Sequence, residues 1–255
     1  MIDSHLHLSE EEKNLENIIS RANNVGVKVL VVSGYNYKSS IEAIRLSNKY
    51  SSIYATIGLH PSEVSKEDYQ EENYFHLAKH SKVIGIGEIG LDYYWDKSNK
   101  ELQKELFTKQ LKLAARLKLP VVIHSRDAMQ DTYDILKQQK QKGIMHCYSG
   151  SYEMAKLFIK LGFLLGIGGV VTFKNASLRE IVRKVSLDNL ISETDSPYLS
   201  PHPYRGKENF PENIPLIIEE IATLKNTSVD EVKDTFFKNF IKIFSIRESN
   251  YEKNK

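Results

Sequence analysis

Cysteine is nearly absent from this 255-residue sequence, in which Cys147 stands alone. A single thiol excludes an intramolecular disulfide bond and any C-x-x-C metal or redox motif, and it favours a reducing compartment. Long apolar runs are also missing, because no stretch approaches the roughly 18 residues of a membrane span. The opening residues, MIDSHLHLSE, lack the apolar core of a signal peptide. We therefore expect a cytoplasmic protein with no membrane partner.

An excess of charge of one sign is lacking too, since 35 Lys and Arg residues oppose 33 Asp and Glu residues for a net charge of +2. This balance gives no strong overall attraction to nucleic acid or to an anionic membrane, so an anionic ligand must be held locally. A hydrophobic fraction of 41% is too high for a disordered chain and too low for a membrane protein. No internal repeat, linker or shift in composition marks a domain boundary. We expect one folded unit over residues 1–248 and a polar tail at 249–255.

Short apolar runs rich in β-branched residues recur along the chain and predict eight strands. These runs cover residues 2–8, 27–33, 53–59, 83–89, 121–125, 144–148, 163–168 and 190–194. Segments with helical spacing lie near 15–24, 38–50, 66–80, 102–117, 127–140, 151–161, 176–186, 212–224 and 229–245. This alternation predicts an α/β fold, a single (β/α)8 TIM barrel with extra C-terminal helices. A doubly wound open sheet is the alternative.

Histidines and carboxylates gather at the ends of the predicted strands. They are His5, His7, His60, Glu88, His124, His146 and Asp195. The C-terminal ends of barrel strands meet at one mouth, so these side chains are expected to face a common centre. His5 and His7 are two residues apart, and strand alternation directs both to the same side. Imidazoles and carboxylates are ligands of zinc, manganese and related divalent ions, which predicts a metal site.

The number of candidate ligands exceeds what one tetrahedral ion needs. The six candidates are His5, His7, Glu88, His124, His146 and Asp195. This count predicts two divalent ions bridged by a carboxylate, for which Glu88 is the natural choice. A metal-bound water that loses its proton near neutral pH would be a hydroxide nucleophile, and Asp195 could orient or deprotonate that water. We expect a hydrolase; zinc, manganese and magnesium all remain open.

The loop after the eighth predicted strand, residues 195–215, combines five prolines with basic and aromatic side chains. Arg205 and Lys207 are suited to pairing with phosphate, Arg through two parallel hydrogen bonds from its planar guanidinium group and Lys as a point charge. Tyr198, Tyr204 and Phe210 could stack on bases, or the loop could simply cap the barrel. We expect Arg205 and Lys207 to bind substrate.

Two further sequence patterns, a glycine-rich motif and the single cysteine, could also suggest a function. Residues 85–90, GIGEIG, match the dinucleotide motif G-x-G-x-x-G, but no helix is expected to open directly after them. An oxidoreductase is therefore disfavoured. Cys147 follows His146, so strand alternation predicts a packed thiol that points away from the mouth.

Taken in order, the motifs resemble one known family. They are DSHLHL at 3–8, GLHP at 58–61, GEIGLDYY at 87–94, VIHSRDA at 122–128, HCYSG at 146–150, ETDSPYL at 193–199 and PYRGKENFP at 203–211. The chain resembles the TatD-type metal-dependent deoxyribonucleases, whose fold is a (β/α)8 barrel of the metal-dependent hydrolase superfamily. The resemblance implies hydrolysis of ester bonds in DNA, as a 3′-to-5′ exonuclease acting on single-stranded or damaged DNA.

The same resemblance implies a role for each site residue. His5, His7 and Asp195 would hold one ion, His124 and His146 a second, and Glu88 would bridge the two. His60 would contact the scissile phosphate or the leaving group, and Arg205 the substrate phosphates. Two alternatives stay open: an amidohydrolase-like enzyme acting on a small ester, amide or lactone, and a noncatalytic nucleic-acid-binding protein. A monomer is the default expectation.

Overall fold

The computed structural model describes residues 1–9, 11, 12 and 14–246. The predicted tail at 249–255 and the last two residues of the predicted 1–248 unit lie outside the described residues. The end of the folded unit therefore stays a prediction.

Eight parallel strands form one sheet in the order of the sequence, β1 to β8. They are β1 (Ile2–Leu6), β2 (Val29–Ser33), β3 (Ile53–Ile57), β4 (Val83–Asp92), β5 (Val121–Arg126), β6 (Gly143–Met145), β7 (Phe163–Ile167) and β8 (Leu190–Ser192). Each strand pairs with the next one along the chain. The predicted (β/α)8 barrel is confirmed, and the open doubly wound alternative is wrong.

Helices alternate with these strands on the outside of the barrel. They are α1 (Leu15–Asn24), α2 (Tyr37–Lys49), α3 (Glu71–Leu77), α4 (Lys100–Leu117), α5 (Met129–Gln139), α6 (Tyr152–Lys160), α7 (Leu178–Lys184), α8 (Ile214–Lys225) and α9 (Val229–Phe244). The predicted C-terminal helices are α8 and α9. Among the described residues, no helix has both the length and the apolar character needed to cross a membrane.

Two strand ends differ from the prediction in ways that matter at the mouth. β4 continues to Asp92, because Gly90 to Asp92 keep pairing with β5. β6 ends at Met145, and two residues later the backbone of Cys147 has a φ of 44°, which is outside the extended region. The alternation of side chains between the two faces of the sheet therefore extends further along β4 than expected, and it stops earlier on β6.

Polar contacts hold the first strand against the segment that follows the last one. The backbone N–H of Asp195 donates to the carbonyl oxygen of His5 at 3.0 Å, and that of His7 donates to Ser196 at 2.8 Å. Asp3 is fully buried here and accepts the backbone N–H of Thr194 at 2.8 Å. Burial raises the pKa of Asp3 to about 8. These contacts bring the β1 ligands beside the β8 ligands.

The lower half of the barrel interior is apolar and is closed by α9. Its layer consists of Ile2, Val29, Val31, Tyr54, Ile84, Val122, Ile144, Leu164 and Ile191, with Phe240 and Phe244 from α9 packed against it. Val122 lies two residues before His124 in β5, so the same alternation that buries Val122 directs His124 inward above it. His146 directly follows β6, two residues beyond Ile144 of the apolar layer. The apolar layer thus forms the floor of the site at the mouth.

Candidate metal centre

The seven predicted residues come together at the C-terminal ends of the strands. His5 lies in β1 and His7 directly after it, Glu88 lies in β4 and His124 in β5. The others follow strand ends: His60 begins the 3-10 helix Pro61–Glu63 after β3, His146 follows β6, and Asp195 comes three residues after β8. The convergence expected from the barrel is therefore present for all seven.

Glu88 lies at the centre of this group, and its two carboxylate oxygens face different histidines. Oε2 is 3.4 Å from Nε2 of His5 and 3.5 Å from Nε2 of His7. Oε1 is 2.8 Å from Nδ1 of His124 and 3.4 Å from Nε2 of His60. One carboxylate is thus shared between two sets of imidazole nitrogens, the arrangement in which it can touch two ions.

Asp195 lies on the other side of the β1 histidines. Its Oδ1 is 3.8 Å from Nε2 of His5 and 3.8 Å from Nε2 of His7. His146 sits between the two sets, since its Nε2 is 3.7 Å from Glu88 Oε1 and 3.8 Å from Asp195 Oδ1. The ring of His146 also stacks on that of His5, with centroids 3.6 Å apart. His5, His146 and Asp195 therefore form a third group of potential ligands around the same centre.

The proton position of the His7 ring indicates that this histidine suits a cation. Nδ1 of His7 is 3.0 Å from the carbonyl oxygen of Ser33, which can only accept, so Nδ1 carries the hydrogen of the neutral ring. Nε2 of His7 then presents a lone pair toward Glu88 and Asp195. A lone pair facing carboxylate oxygens is repulsive unless a cation lies between them. The donor set therefore fits a divalent ion.

The ionisation of the centre supports the same conclusion. Burial lowers the pKa of both His5 and His7, which keeps these rings neutral, the form that binds metals. Burial opposes ionisation of Glu88, but the nearby rings of His60, His5 and His146 outweigh it and hold the pKa of this carboxyl well below its usual range. The neutral rings of His5 and His7 beside the ionised carboxylate of Glu88 are the chemistry of a zinc-like or manganese-like site.

Negative charge is concentrated around His146. Burial alone would lower its pKa, yet the carboxylates of Glu193, Asp195 and Glu88 raise that pKa to about 10. Asp195 shows the complementary effect, because burial raises its pKa to about 7. A bound cation would favour the ionised form of Asp195 and the neutral form of His146.

Sequence reasoning missed two carboxylates that orient the histidines. Oδ2 of Asp92 is 2.9 Å from Nε2 of His124, and Oε1 of Glu193 is 3.0 Å from Nδ1 of His146. A carboxylate on the far nitrogen fixes the ring orientation and raises the basicity of a metal-binding histidine. Period-two spacing could have found both, since Asp92 lies four residues after Glu88 and Glu193 lies two before Asp195.

Cys147 lies nearer the centre than strand alternation predicts. Its thiol, a ring nitrogen of His146 and a carboxylate oxygen of Glu193 lie within 4.8 Å of one another, and the residue is half-buried. The prediction assumed that β6 continues through residue 148, whereas this strand ends at Met145. Burial, with the charges of Asp195 and Glu193, raises the pKa of the thiol well above its usual range. The raised pKa favours the protonated thiol, which is a poor nucleophile.

Arg205 and Lys207 lie in the exposed loop after β8, apart from the histidine centre. The guanidinium carbon of Arg205 is 4.7 Å from the ring centroid of Phe173, which follows β7. Within the described part of the chain, neither basic side chain forms an ion pair with the centre. Phe210 is covered by Arg21 of α1, with the guanidinium carbon 4.9 Å from the ring centroid, so this ring packs against a helix.

Fold and centre together define the class of this protein. A (β/α)8 barrel with histidines and carboxylates converging at the C-terminal strand ends is the framework of metal-dependent hydrolases, in which active sites lie at this face.

Comparison with known proteins agrees with this class. A family model described as TatD related DNase matches residues 2–245. The uncharacterised metal-dependent hydrolase YabD of Bacillus subtilis is 42% identical, over 96% of this chain and 99% of that protein. YcfH of Escherichia coli, also an uncharacterised metal-dependent hydrolase, is 34% identical over 96% of each. The crystal structure of YjjV, a TatD homologue from E. coli, superposes with a TM-score of 0.91 at 29% identity, covering 97% of this chain and 98% of that one. The chain belongs to the TatD family of metal-dependent hydrolases.

Proposed function

We propose that this protein is a divalent-metal-dependent phosphodiesterase that removes nucleotides one at a time from the 3′ end of DNA. The observation that supports this proposal most directly is the position of the Glu88 carboxylate, whose two oxygens face two sets of histidines. A carboxylate shared in this way is typical of two-metal sites, which act on both the attacking and the leaving oxygen of a phosphodiester. The family description, TatD related DNase, favours DNA as the substrate.

In this proposal the ligands divide as the family resemblance implies. His5, His7 and Asp195 would hold one ion, while His124 and His146 would hold a second. Glu88 would contact both ions. Zinc, manganese and magnesium are each compatible with imidazole and carboxylate ligands, and availability selects among them.

The remaining site residues would act on the substrate. Bound ions would supply a lowered pKa for a coordinated water and neutralise charge on the phosphate. Asp195, at the edge of the centre, would orient that water as its proton is lost. His60, whose Nε2 lies 3.4 Å from Glu88 Oε1, would contact the scissile phosphate or the leaving oxygen. Arg205 and Lys207 would pair with phosphates further along the strand.

Exposed aromatic side chains beside the centre also suit a nucleic acid. Tyr35, after β2, and Tyr198, after β8, have ring centroids 5.8 and 6.3 Å from that of His7. Tyr198 is 61% exposed and Tyr35 is 42% exposed. Bases stack on such rings with little sequence preference, as expected for an enzyme that shortens an arbitrary strand.

The test uses protein stripped with a chelator and a single-stranded DNA oligonucleotide labelled at its 5′ end. Magnesium, manganese and zinc are restored separately. We expect a ladder that shortens one nucleotide at a time with a restored metal, and no ladder with His124→Ala. The matched control is Glu180→Gln on the exposed face of α7, which is expected to cleave like the unchanged protein.

Three results would overturn the proposal. An undiminished ladder with His124→Ala would show that the metal centre is not the site of cleavage. An intact oligonucleotide despite bound metal would remove DNA as substrate, and a panel of small esters, amides and lactones would then test the amidohydrolase-like alternative. Tight DNA binding without cleavage that persists after metal removal would instead identify a noncatalytic binding protein.

A further inference from the structure

Three aromatic residues follow one another where β4 reaches the mouth, and only the first belongs to the core. Tyr93 is 5% exposed, and its hydroxyl donates to Oδ2 of Asp131 at 2.8 Å. Tyr94 and Trp95 turn outward, with exposed fractions of 51% and 71%. Both rings therefore lie at the surface of the barrel, outside its buried core.

Arg126, the last residue of β5, completes this surface. Its guanidinium carbon is 3.8 Å from the ring centroid of Tyr94 and 5.5 Å from that of Trp95. The two rings meet edge to face, with centroids 4.9 Å apart. No carboxylate among the described residues forms an ion pair with Arg126. We call Tyr94, Trp95 and Arg126 the Trp95 platform.

The platform is fixed to the metal centre through one carboxylate. Oδ1 of Asp92 accepts the backbone N–H groups of Tyr94 at 2.9 Å and Trp95 at 3.3 Å. Oδ2 of the same carboxylate is 2.9 Å from Nε2 of His124. Asp92, which orients the candidate ligand His124, therefore also holds the backbone of Tyr94 and Trp95 in place.

The spacing along β5 fits neighbouring units of an extended strand. Arg126 lies two residues beyond His124, or about 6.6 Å along the strand. This length is comparable to the spacing of successive phosphates in an extended single strand. A phosphate at the metal centre would thus leave the next nucleotide above the Trp95 platform.

We infer that the Trp95 platform is a nucleotide subsite, in which Trp95 stacks on the base of the nucleotide adjacent to the one removed and Arg126 pairs with its phosphate. The inference rests on the proposed function and names residues that determine its preference for single-stranded substrate. A stacked base requires an exposed ring, and a phosphate requires a cation that no protein carboxylate already neutralises. The platform supplies both at adjacent positions.

The first test compares two substrates of the metal-loaded protein. Trp95→Ala is expected to lower kcat/KM for a single-stranded oligonucleotide by about 5- to 150-fold, the loss of one base stack. Cleavage of an oligonucleotide whose second nucleotide from the 3′ end is abasic, and so has no base to place on the platform, is expected to be the same for Trp95→Ala and the unchanged protein. Trp95→Phe keeps a ring and should restore most of the oligonucleotide activity. Arg126→Gln should also lower oligonucleotide cleavage, whereas the exposed control Arg183→Gln should not.

The second test uses fluorescence and needs no turnover. Trp95 is the single tryptophan in the sequence, so emission excited selectively at tryptophan reports on this position alone. Deoxyadenosine monophosphate is expected to quench the emission saturably, while deoxyribose 5-phosphate, which lacks the base, should not. Arg126→Gln should shift the quenching to higher nucleotide concentration.

The two tests separate failure of the subsite from failure of the proposed function. Equal kcat/KM for Trp95→Ala and the unchanged protein on a cleaved oligonucleotide would overturn the subsite and leave the exonuclease in place. Equal emission changes with and without the base would also overturn the subsite. An uncleaved oligonucleotide together with base-dependent quenching would overturn the exonuclease while supporting the nucleotide subsite.

Discussion

The Glu193→Gln substitution tests how strongly a buried carboxylate supports the metal centre. Glu193 is fully buried, and its Oε1 is 3.0 Å from Nδ1 of His146. The same oxygen accepts the backbone N–H of Cys147 at 2.5 Å. Glutamine keeps the size and the accepting oxygen but removes the negative charge that makes His146 a more basic ligand.

The expected loss follows from two separate effects. Loss of a carboxylate behind a metal-binding histidine lowers metal affinity by about 10- to 100-fold, which equals about 1.4–2.7 kcal/mol. Oε2 of Glu193 has no hydrogen-bond partner among the described residues. The new amide N–H group would be buried without an acceptor there, which costs about 1–3 kcal/mol of folding free energy.

Different measurements separate these two effects. Competition against a chromophoric zinc chelator at neutral pH gives the metal affinity, and urea unfolding of the metal-free protein gives the loss of folding free energy. Glu180→Gln, on the exposed face of α7, is the matched control and should change neither quantity. Zinc affinity equal to that of the unchanged protein, with the metal-free fold intact, would refute the role assigned to Glu193.

Three further predictions concern the centre and its floor. His60→Ala is expected to keep its metal content but lose about 10²- to 10³-fold in kcat; loss of metal instead would make His60 a ligand, as its place beside Glu88 and His124 would allow. Removing the metal with a chelator should lower the Tm, measured by calorimetry, by roughly 5–11 °C relative to protein with free metal at about 100 times the Kd. The Glu88→Gln variant should show no such shift, because its metal centre is disrupted. Phe240→Ala, at a 1% exposed position beneath the centre, should cost about 3–5 kcal/mol of unfolding free energy by urea titration, while metal titration finds the affinity unchanged.

The barrel was predictable because its signals are local. A strand such as β5 is visible in the sequence as a short apolar run, and α4 is visible as an amphipathic stretch. Neither signal depends on distant parts of the chain. Strand ends were less predictable, since pairing with a neighbour decides them. β4 runs on to Asp92 because β5 continues beside it, and β6 stops before His146 where the backbone leaves the extended region.

The convergence of the candidate ligands was predictable for a related reason. Histidine and carboxylate at successive strand ends, with two-residue spacing in His5 and His7, need only the barrel to bring them together. Their supporting carboxylates, Asp92 and Glu193, follow the same period-two spacing, but that spacing alone does not tell an acidic residue that reaches a histidine from one that reaches solvent.

The sequence by itself determined the kind of protein: eight strand and helix units, and imidazole and carboxylate groups at the end where such barrels carry their sites. The tertiary structure decided how those groups share one space. It divides the two oxygens of Glu88 between two sets of histidines, and it sets Asp92 between His124 and the Trp95 platform. Periodicity in sequence fixes the direction of a side chain from its own strand, whereas distances between strands depend on closure, register and packing of the whole barrel.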